Sequence, residues 1–420
     1  MERIVLNDAL SKFTDTIYAG DHEVTGPAPW LGHAAVAELG CNFNLIHYHH
    51  RHEFEGGHNK GLWGTVCPQP GVFAWDELDR TVKDAAGRFP LVGLYPIGWA
   101  HMVPHWLGDT IMDVPVDIAA AWVAKVVDRY HESVAVFPVF YELNVFDLFY
   151  RSTHHHPYDQ SRKEHIVRIL VQSYKMVMER SGPVAASKLT AATFVELTRS
   201  SFYWMSEGKL LELPCGSSLL NAPLSPPDLI AVARGLDERE GVRRSELVLR
   251  QLLHQIIFWN ADDSGACNTV GDDLRRIHQA GWFGPDEGFA RFVIAGWDAQ
   301  PQNTYEYLLE RMRPELRVPT AADCLLENYR AYREFITDDT IPSAVRSAIR
   351  GFVLDDIFKC RKQSGATSAI YPTEAVGPDG LRIGSVPLVS GPLSRVYREI
   401  TGRHPHPDRS SVAHPAAETA

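Results

Sequence analysis

The feature that most constrains this chain is a recurrence: a short, apolar, β-prone run followed, after a loop, by a helical pattern. Candidate strands cover residues 13–19, 43–48, 90–96, 135–142, 189–197, 292–296, 324–327 and 368–371. Several of them are almost entirely apolar, as parallel strands covered on both faces must be. Between them, amphipathic spacing predicts helices over residues 75–86, 116–131, 161–181, 305–313 and 344–362. Eight such alternations in one domain predict an α/β protein of the (β/α)8 TIM-barrel class.

The fifth unit departs from that rhythm. The stretch between Leu197 and Phe292 is far longer than one barrel unit needs, so residues 200–290 are expected to be an insertion or lid. It has its own helical spacing over residues 245–259, carried by Leu247, Leu249, Leu252, Leu253, Ile256 and Ile257. Residues 1–402 then form a single barrel domain, and the His-, Pro-, Ser- and Ala-rich residues 403–420 are expected to be a disordered tail.

Charge narrows the partners. The chain's 420 residues carry 41 Lys+Arg against 52 Asp+Glu, a formal net charge of −11. With no basic cluster, this argues against nucleic acid or an anionic membrane as partner. No run of 18 apolar residues exists, and the N-terminal residues are too polar for a signal peptide, so a cytoplasmic location is expected. The six cysteines show no CxxC and no metal-ligand spacing, which predicts free thiols. Nothing in the sequence sets the oligomeric state.

In a parallel barrel, chemistry is carried at the C-terminal ends of the strands. The expected second strand ends in His47-Tyr48-His49-His50, the third runs on to Trp99, and the fourth ends in Tyr141-Glu142-Leu143-Asn144. The sixth is followed by Trp297-Asp298 and the seventh ends on Glu327. Two apolar strands finishing on glutamate suit glycosidic cleavage, which needs one carboxyl to protonate the leaving oxygen and a carboxylate at the anomeric carbon. Aromatic residues at the mouth, among them Trp99 and Tyr141, supply faces for a sugar ring. The plainer reading of each glutamate is a solvated or ion-paired carboxylate at a strand end.

Three segments resemble the clan A glycoside hydrolases, especially the branches related to β-xylosidases and β-galactosidases. Pro68-Gln69-Pro70-Gly71-Val72-Phe73-Ala74-Trp75-Asp76-Glu77-Leu78-Asp79 is similar to a run those enzymes carry after strand two. Residues 91–106, ending Val103-Pro104-His105-Trp106, look like their third strand and its continuation, and Tyr141-Glu142-Leu143-Asn144 lines up with their N-E-P-N. The resemblance implies a retaining mechanism without a cofactor, and the expected lack of a signal peptide points to a small intracellular glycoside as substrate. It implies Glu142 as general acid/base, Glu327 as nucleophile with Glu374 as the second candidate, and Tyr305 as the tyrosine orienting the nucleophile. It further implies Asn144, His47 and His49 as polar contacts to substrate hydroxyls. Two positions depart from the family: Tyr141 replaces the asparagine before the acid/base, and Tyr371-Pro372 stands where a tryptophan often ends strand eight.

Two other classes remain open. His47 and His49 share one face of a strand and, with Glu142 or Asp298, have the composition of a two-His-one-carboxylate metal site for isomerase, lyase or oxygenase chemistry. Alternatively, the barrel is a non-hydrolytic scaffold that binds a partner through residues 200–290. Glu196, at the end of the fifth strand, is read either as an ion-pair partner of Arg199 or as a mouth residue. Cys67 and Cys324 are read as packing residues, and 202–204 as core or lid.

Overall fold

The computed structural model describes residues 17–23, 43–47, 61–89, 91–98, 102–140, 159–196, 201–206, 209–214, 224, 226–259, 274–275, 278–279, 292–296, 330, 333–354, 376–377 and 380–381. The order is β1 (Ile17–Glu23), β2 (Phe43–His47), α1 (Gly61–Val66), α2 (Asp76–Arg88), β3 (Leu91–Leu94), α3 (Val116–Tyr130), β4 (Phe137–Pro138) and α4 (Gln160–Ala186). There follow β5 (Leu189–Glu196), β6 (Ser201–Ser206), β7 (Lys209–Pro214), α5 (Pro226–Glu240), α6 (Ser245–Gln251), β8 (Leu253–Trp259) and β9 (Phe292–Gly296). The remaining elements are α7 (Ser343–Ala348), β10 (Ile349–Leu354), β11 (Val376–Gly377) and β12 (Gly380–Leu381).

Eight of these strands form one sheet in the order β3-β2-β1-β10-β9-β8-β5-β4, every pairing parallel. The two edges meet. Gly93 bridges Val136 and Gly98 bridges Phe140, both parallel, while Leu94 N–H donates to Val136 O at 3.0 Å and Ile97 N–H to Val139 O at 3.3 Å. The sheet is therefore a closed eight-stranded parallel barrel with helices between its strands, the (β/α)8 architecture the alternation predicts.

Three strand assignments are corrected. The sixth barrel strand is β8, inside the stretch expected to be helical over residues 245–259. The helix stops at Gln251, Leu252 turns extended (φ −68°, ψ 147°), and the chain enters the sheet at Leu253. Leucines at helical spacing run without a Gly or Pro break into Ile256-Ile257-Phe258-Trp259, a continuous apolar run that suits a buried parallel strand. The seventh strand is accordingly β9, expected as the sixth. The eighth is β10, inside the stretch expected as a helix over residues 344–362; Ala348 ends a short helix and Ile349 begins the strand directly. Residues 324–327 and 368–371 lie outside the described residues, and the barrel closes without them. The expected insertion over 200–290 thus contains a barrel strand. Among the described residues, the antiparallel β6–β7 pair and the helices α5 and α6 lie between β5 and β8.

The core lies between sheet and helices. Register pairs Asn44 with Val92 and Ile46 with Leu94, so Ile46, Val92 and Leu94 share one face of the sheet. All three are buried in the cluster that holds Leu78, Val82 and Ala85 of α2 and Val123, Val126 and Val127 of α3. At the N-terminal end of the barrel, the buried Lys188 ammonium donates to the carbonyls of His131 and, at 2.9 Å, Val134, and burial pushes its pKa down. Asp159 caps α4 by accepting from Arg162 N–H at 2.9 Å. Asp237 accepts from the Ser245 and Glu246 amides at 2.9 and 3.1 Å, which starts α6. Among the described residues no helix is long and apolar enough to cross a membrane.

Phe137 is fully buried where the fourth strand meets the fifth. Phe137→Ala is expected to cost about 3–5 kcal/mol of unfolding free energy. Urea denaturation would read that as a lower midpoint with an unchanged slope.

Candidate active-site rim

The C-terminal ends of eight parallel strands define one rim. The described strands end there on Glu23, His47, Leu94, Glu196, Trp259, Gly296 and Leu354, and the fourth strand's pairing runs on to Phe140. Register sets Glu23 opposite His47 and Glu196 opposite Trp259. His47 follows Ile46, a buried residue of the sheet–helix core, so the pleat assigns position 47 to the opposite, barrel-inner face.

The loops after β2 and β3 are built from the segments that resemble the glycoside hydrolases, and they clasp each other. Gly61, at φ +50°, opens α1, and a Cβ there would lie 2.7 Å from Met102 Cβ, so only glycine admits this approach. The Trp106 indole N–H donates to Cys67 O at 3.1 Å, and the buried Cys67 thiol donates to Gln69 O at 3.3 Å. Burial raises the Cys67 pKa, so the thiol is a packing group, as expected.

Behind the clasp stands an aromatic stack. Trp122 of α3 lies between Trp63 and Trp75, at centroid distances of 5.5 and 5.7 Å, and its indole N–H donates to Pro96 O at 2.9 Å. Asp79 accepts from Arg129 at 2.8 and 2.5 Å and from the Tyr130 hydroxyl at 2.8 Å. The hydrogen bond from Arg129 holds the Asp79 carboxyl below its usual value, against the opposing effect of burial. Trp75 and Asp79, two fixed positions of the resembling run, therefore join α2 to α3 and leave the chemistry to the rim.

Of the expected site residues, His47 is placed, as the last residue of β2. His49, Trp99, Tyr141, Glu142, Asn144, Tyr305, Glu327 and Glu374 lie outside the described residues. The strand corrections change what stands near them in sequence. Glu327 does not end the seventh barrel strand, which is β9 and is followed by Trp297-Asp298. Tyr305 follows the seventh strand, where it was expected soon after the sixth. Glu374 comes after β10, beyond the end of the last barrel strand. Glu23 went unread because Gly20-Asp21 has the composition of a turn, yet β1 runs through it to Glu23. Among the described residues, no group of three or more His, Cys, Asp and Glu is arranged to hold a metal.

Solved structures share this fold. A GH10 xylanase from Bispora sp. MEY-1, crystallised with xylobiose, aligns with 94% of this chain and 99% of its own at 10% identity and a TM-score of 0.51. The Penicillium canescens endo-1,4-beta-xylanase XylE aligns with 95% of this chain and 98% of its own at 12% identity and a TM-score of 0.50. No family model matches the sequence, and neither does any curated protein. At such identities the likeness establishes the barrel, and a barrel hosts many chemistries.

The Asp79 network yields a pH test. A carboxyl with a folded pKa below its unfolded value adds stability above the unfolded value, and that stability is lost as pH falls through the folded one. Thermal melts of the native chain should therefore fall as pH drops below about 4. Asp79→Asn should lower the melting temperature at neutral pH and reduce the acid-dependent loss.

Proposed function

We propose that the chain is a glycoside-hydrolase-like enzyme that cleaves or transfers the glycosyl group of a small glycoside, with Glu142 as general acid/base. The observation that carries this reading is the course of residues 135–140. They run as the fourth strand of a closed barrel and are still paired to the third strand at Phe140, two residues before Glu142. Catalytic groups of such barrels come from this end of the strands. Glu142 protonates the glycosidic oxygen while a second carboxylate attacks the anomeric carbon. Glu142 then takes the proton of a water or acceptor hydroxyl as the glycosyl–enzyme ester breaks.

The corrected strand order bears on the second carboxylate. Glu327 and Glu374 were expected on strand assignments that the sheet replaces, whereas Asp298 follows the seventh strand by two residues. We therefore rank Asp298 beside Glu327 as nucleophile and place Glu374 behind both. His47, His49, Trp99, Tyr141, Asn144 and Tyr305 are proposed as contacts to the sugar. The mechanism needs no cofactor.

A panel of aryl β-glycosides, assayed in chelator, tests the reading. Glu142→Gln and one of Asp298→Asn or Glu327→Gln should each lower kcat on substrates with poor leaving groups by roughly 10²–10⁴-fold. Azide should rescue both, giving a glycosyl azide of retained configuration from the acid/base variant and of inverted configuration from the nucleophile variant. A native chain inert on the whole panel, or a Glu142→Gln variant with full activity, would overturn the proposal.

A further inference from the structure

The peptide unit between Pro96 and Ile97 links α3 to the strand that leads to Glu142. Its carbonyl oxygen accepts from the Trp122 indole N–H at 2.9 Å, inside the core. Its amide, that of Ile97, donates to Val139 O on the fourth strand at 3.3 Å. A trans peptide unit is planar, with its C=O and N–H pointing to opposite sides, and no cis bond occurs among the described residues. The unit is therefore a rigid spacer: whatever fixes its oxygen also fixes the direction of its N–H.

Trp122 is built to do this. Its ring is held between Trp63 and Trp75 at interplanar angles of 2° and 14°. The indole N–H lies in the ring plane, so the stack aims the donor. On the strand-two side the third strand is held less firmly, since Tyr95 N–H meets Ile46 O at 3.5 Å and Pro96 has no N–H. Directly after the spacer, Gly98 takes φ +74° and bridges Phe140. Glu142 follows Val139 by three residues and Phe140 by two. The chain that carries Glu142 is tied to the connection after β3 at its other end too. It leads into α4, where a His165 ring nitrogen lies 3.0 Å from Ile111 O.

We propose that Trp122 is a positioning residue of the glycosidic site: by holding the Pro96–Ile97 peptide unit, it sets where the fourth strand delivers Glu142. The inference rests on the reading of Glu142 as general acid/base. Trp122 is buried and acts only through Pro96 and the fourth strand.

The test compares the full native chain with three variants. Trp122→Phe keeps a ring in the stack and removes the donor. Should it not fold, 3-benzothienylalanine at position 122 keeps the bicyclic ring and removes the N–H alone. Tyr130→Phe is the control, because it costs the same helix a hydrogen bond, to Asp79, and leaves the Trp122 donor in place. Hydrogen exchange at the Ile97 amide should quicken by about tenfold without the Trp122 donor and stay native in Tyr130→Phe. On aryl β-glycosides, loss of the donor should lower kcat/KM for poor leaving groups by about tenfold or more. Dinitrophenyl glycosides, whose leaving group needs no proton, should keep nearly native kcat/KM. The role is overturned by unchanged Ile97 exchange, by an equal loss on every leaving group, or by the same selective loss in Tyr130→Phe. A native chain inert on the panel overturns the glycosidic reading and this role with it. An active native chain whose Trp122 variants lose rate unselectively overturns this role alone.

Discussion

The seam between the third and fourth strands is the constraint on which the rest of the molecule depends. Elsewhere the barrel is a ladder of parallel pairs, shifted in register once in β1 and once in β10, but here it closes through two isolated bridges, Gly93 with Val136 and Gly98 with Phe140. The cause lies in the sequence. Phe137 and Val139 donate to the fifth-strand side, at Lys188 O and Thr190 O, while Ala135 donates to Val92 O of the third strand at 2.6 Å. Between Phe137 and Val139 stands Pro138, which has no N–H to give. Pro96 opposite has none either, and its carbonyl accepts from Trp122 of α3. A seam short of donors needs support from outside the sheet. The helix α3 and its stacked tryptophans supply that support, and Lys188 fastens the loop beneath it by holding two carbonyls at once.

That arrangement accounts for the segment around Trp75, which carried much of the sequence resemblance. Trp75, Trp122 and Trp63 form one continuous stack, and Asp79 draws Arg129 and Tyr130 onto it. A stack between α2 and α3 fixes how these helices cover the seam strands. A barrel with the same seam therefore gains from the same residues whatever its rim catalyses. Resemblance in this run speaks for architecture, and the rim has to be argued separately.

Legibility in the sequence followed the same division. Helices flanked by clear boundaries were readable: residues 76–88, 116–130 and 160–186 fall within a few residues of their expected limits. Strands preceded by loops were readable too, as for Leu189–Glu196 and Phe292–Gly296. The failures came where a helix passes into a strand with no turn between them, at Gln251 to Leu253 and at Ala348 to Ile349. There the apolar leucines of a helix face merge with the unbroken apolar run of a buried strand, and hydrophobicity alone marks no boundary. The first merger hid β8 and displaced the numbering of the strands after it, which moved the expected strand-seven carboxylate from the β9 end to Glu327; the second hid β10, the last barrel strand. Glu23 was hidden for the opposite reason. Gly20-Asp21 reads as a turn, and a bulge uses the same residue types without leaving the sheet.

The corrected order also ranks how much each rim hypothesis asks of the fold. Around the ring, the fourth strand is separated from β9 by β5 and β8, so the ends of these two strands stand three places apart on the rim. The separation of a carboxylate after Phe140 from one after Gly296 is set by how far each loop carries its residue inward, a quantity that backbone register does not fix. Glu23 and His47 end adjacent strands, and their spacing is that of the sheet itself. β10 bears a register shift of its own between Ile349 and Phe352, so the two strands that precede β2 in the ring are both bulged. Bulges at barrel rims re-aim residues next to functional sites. The shift in β1 falls beside the rim, just before His22 and Glu23, whereas the shift in β10 falls at that strand's N-terminal end, away from the rim.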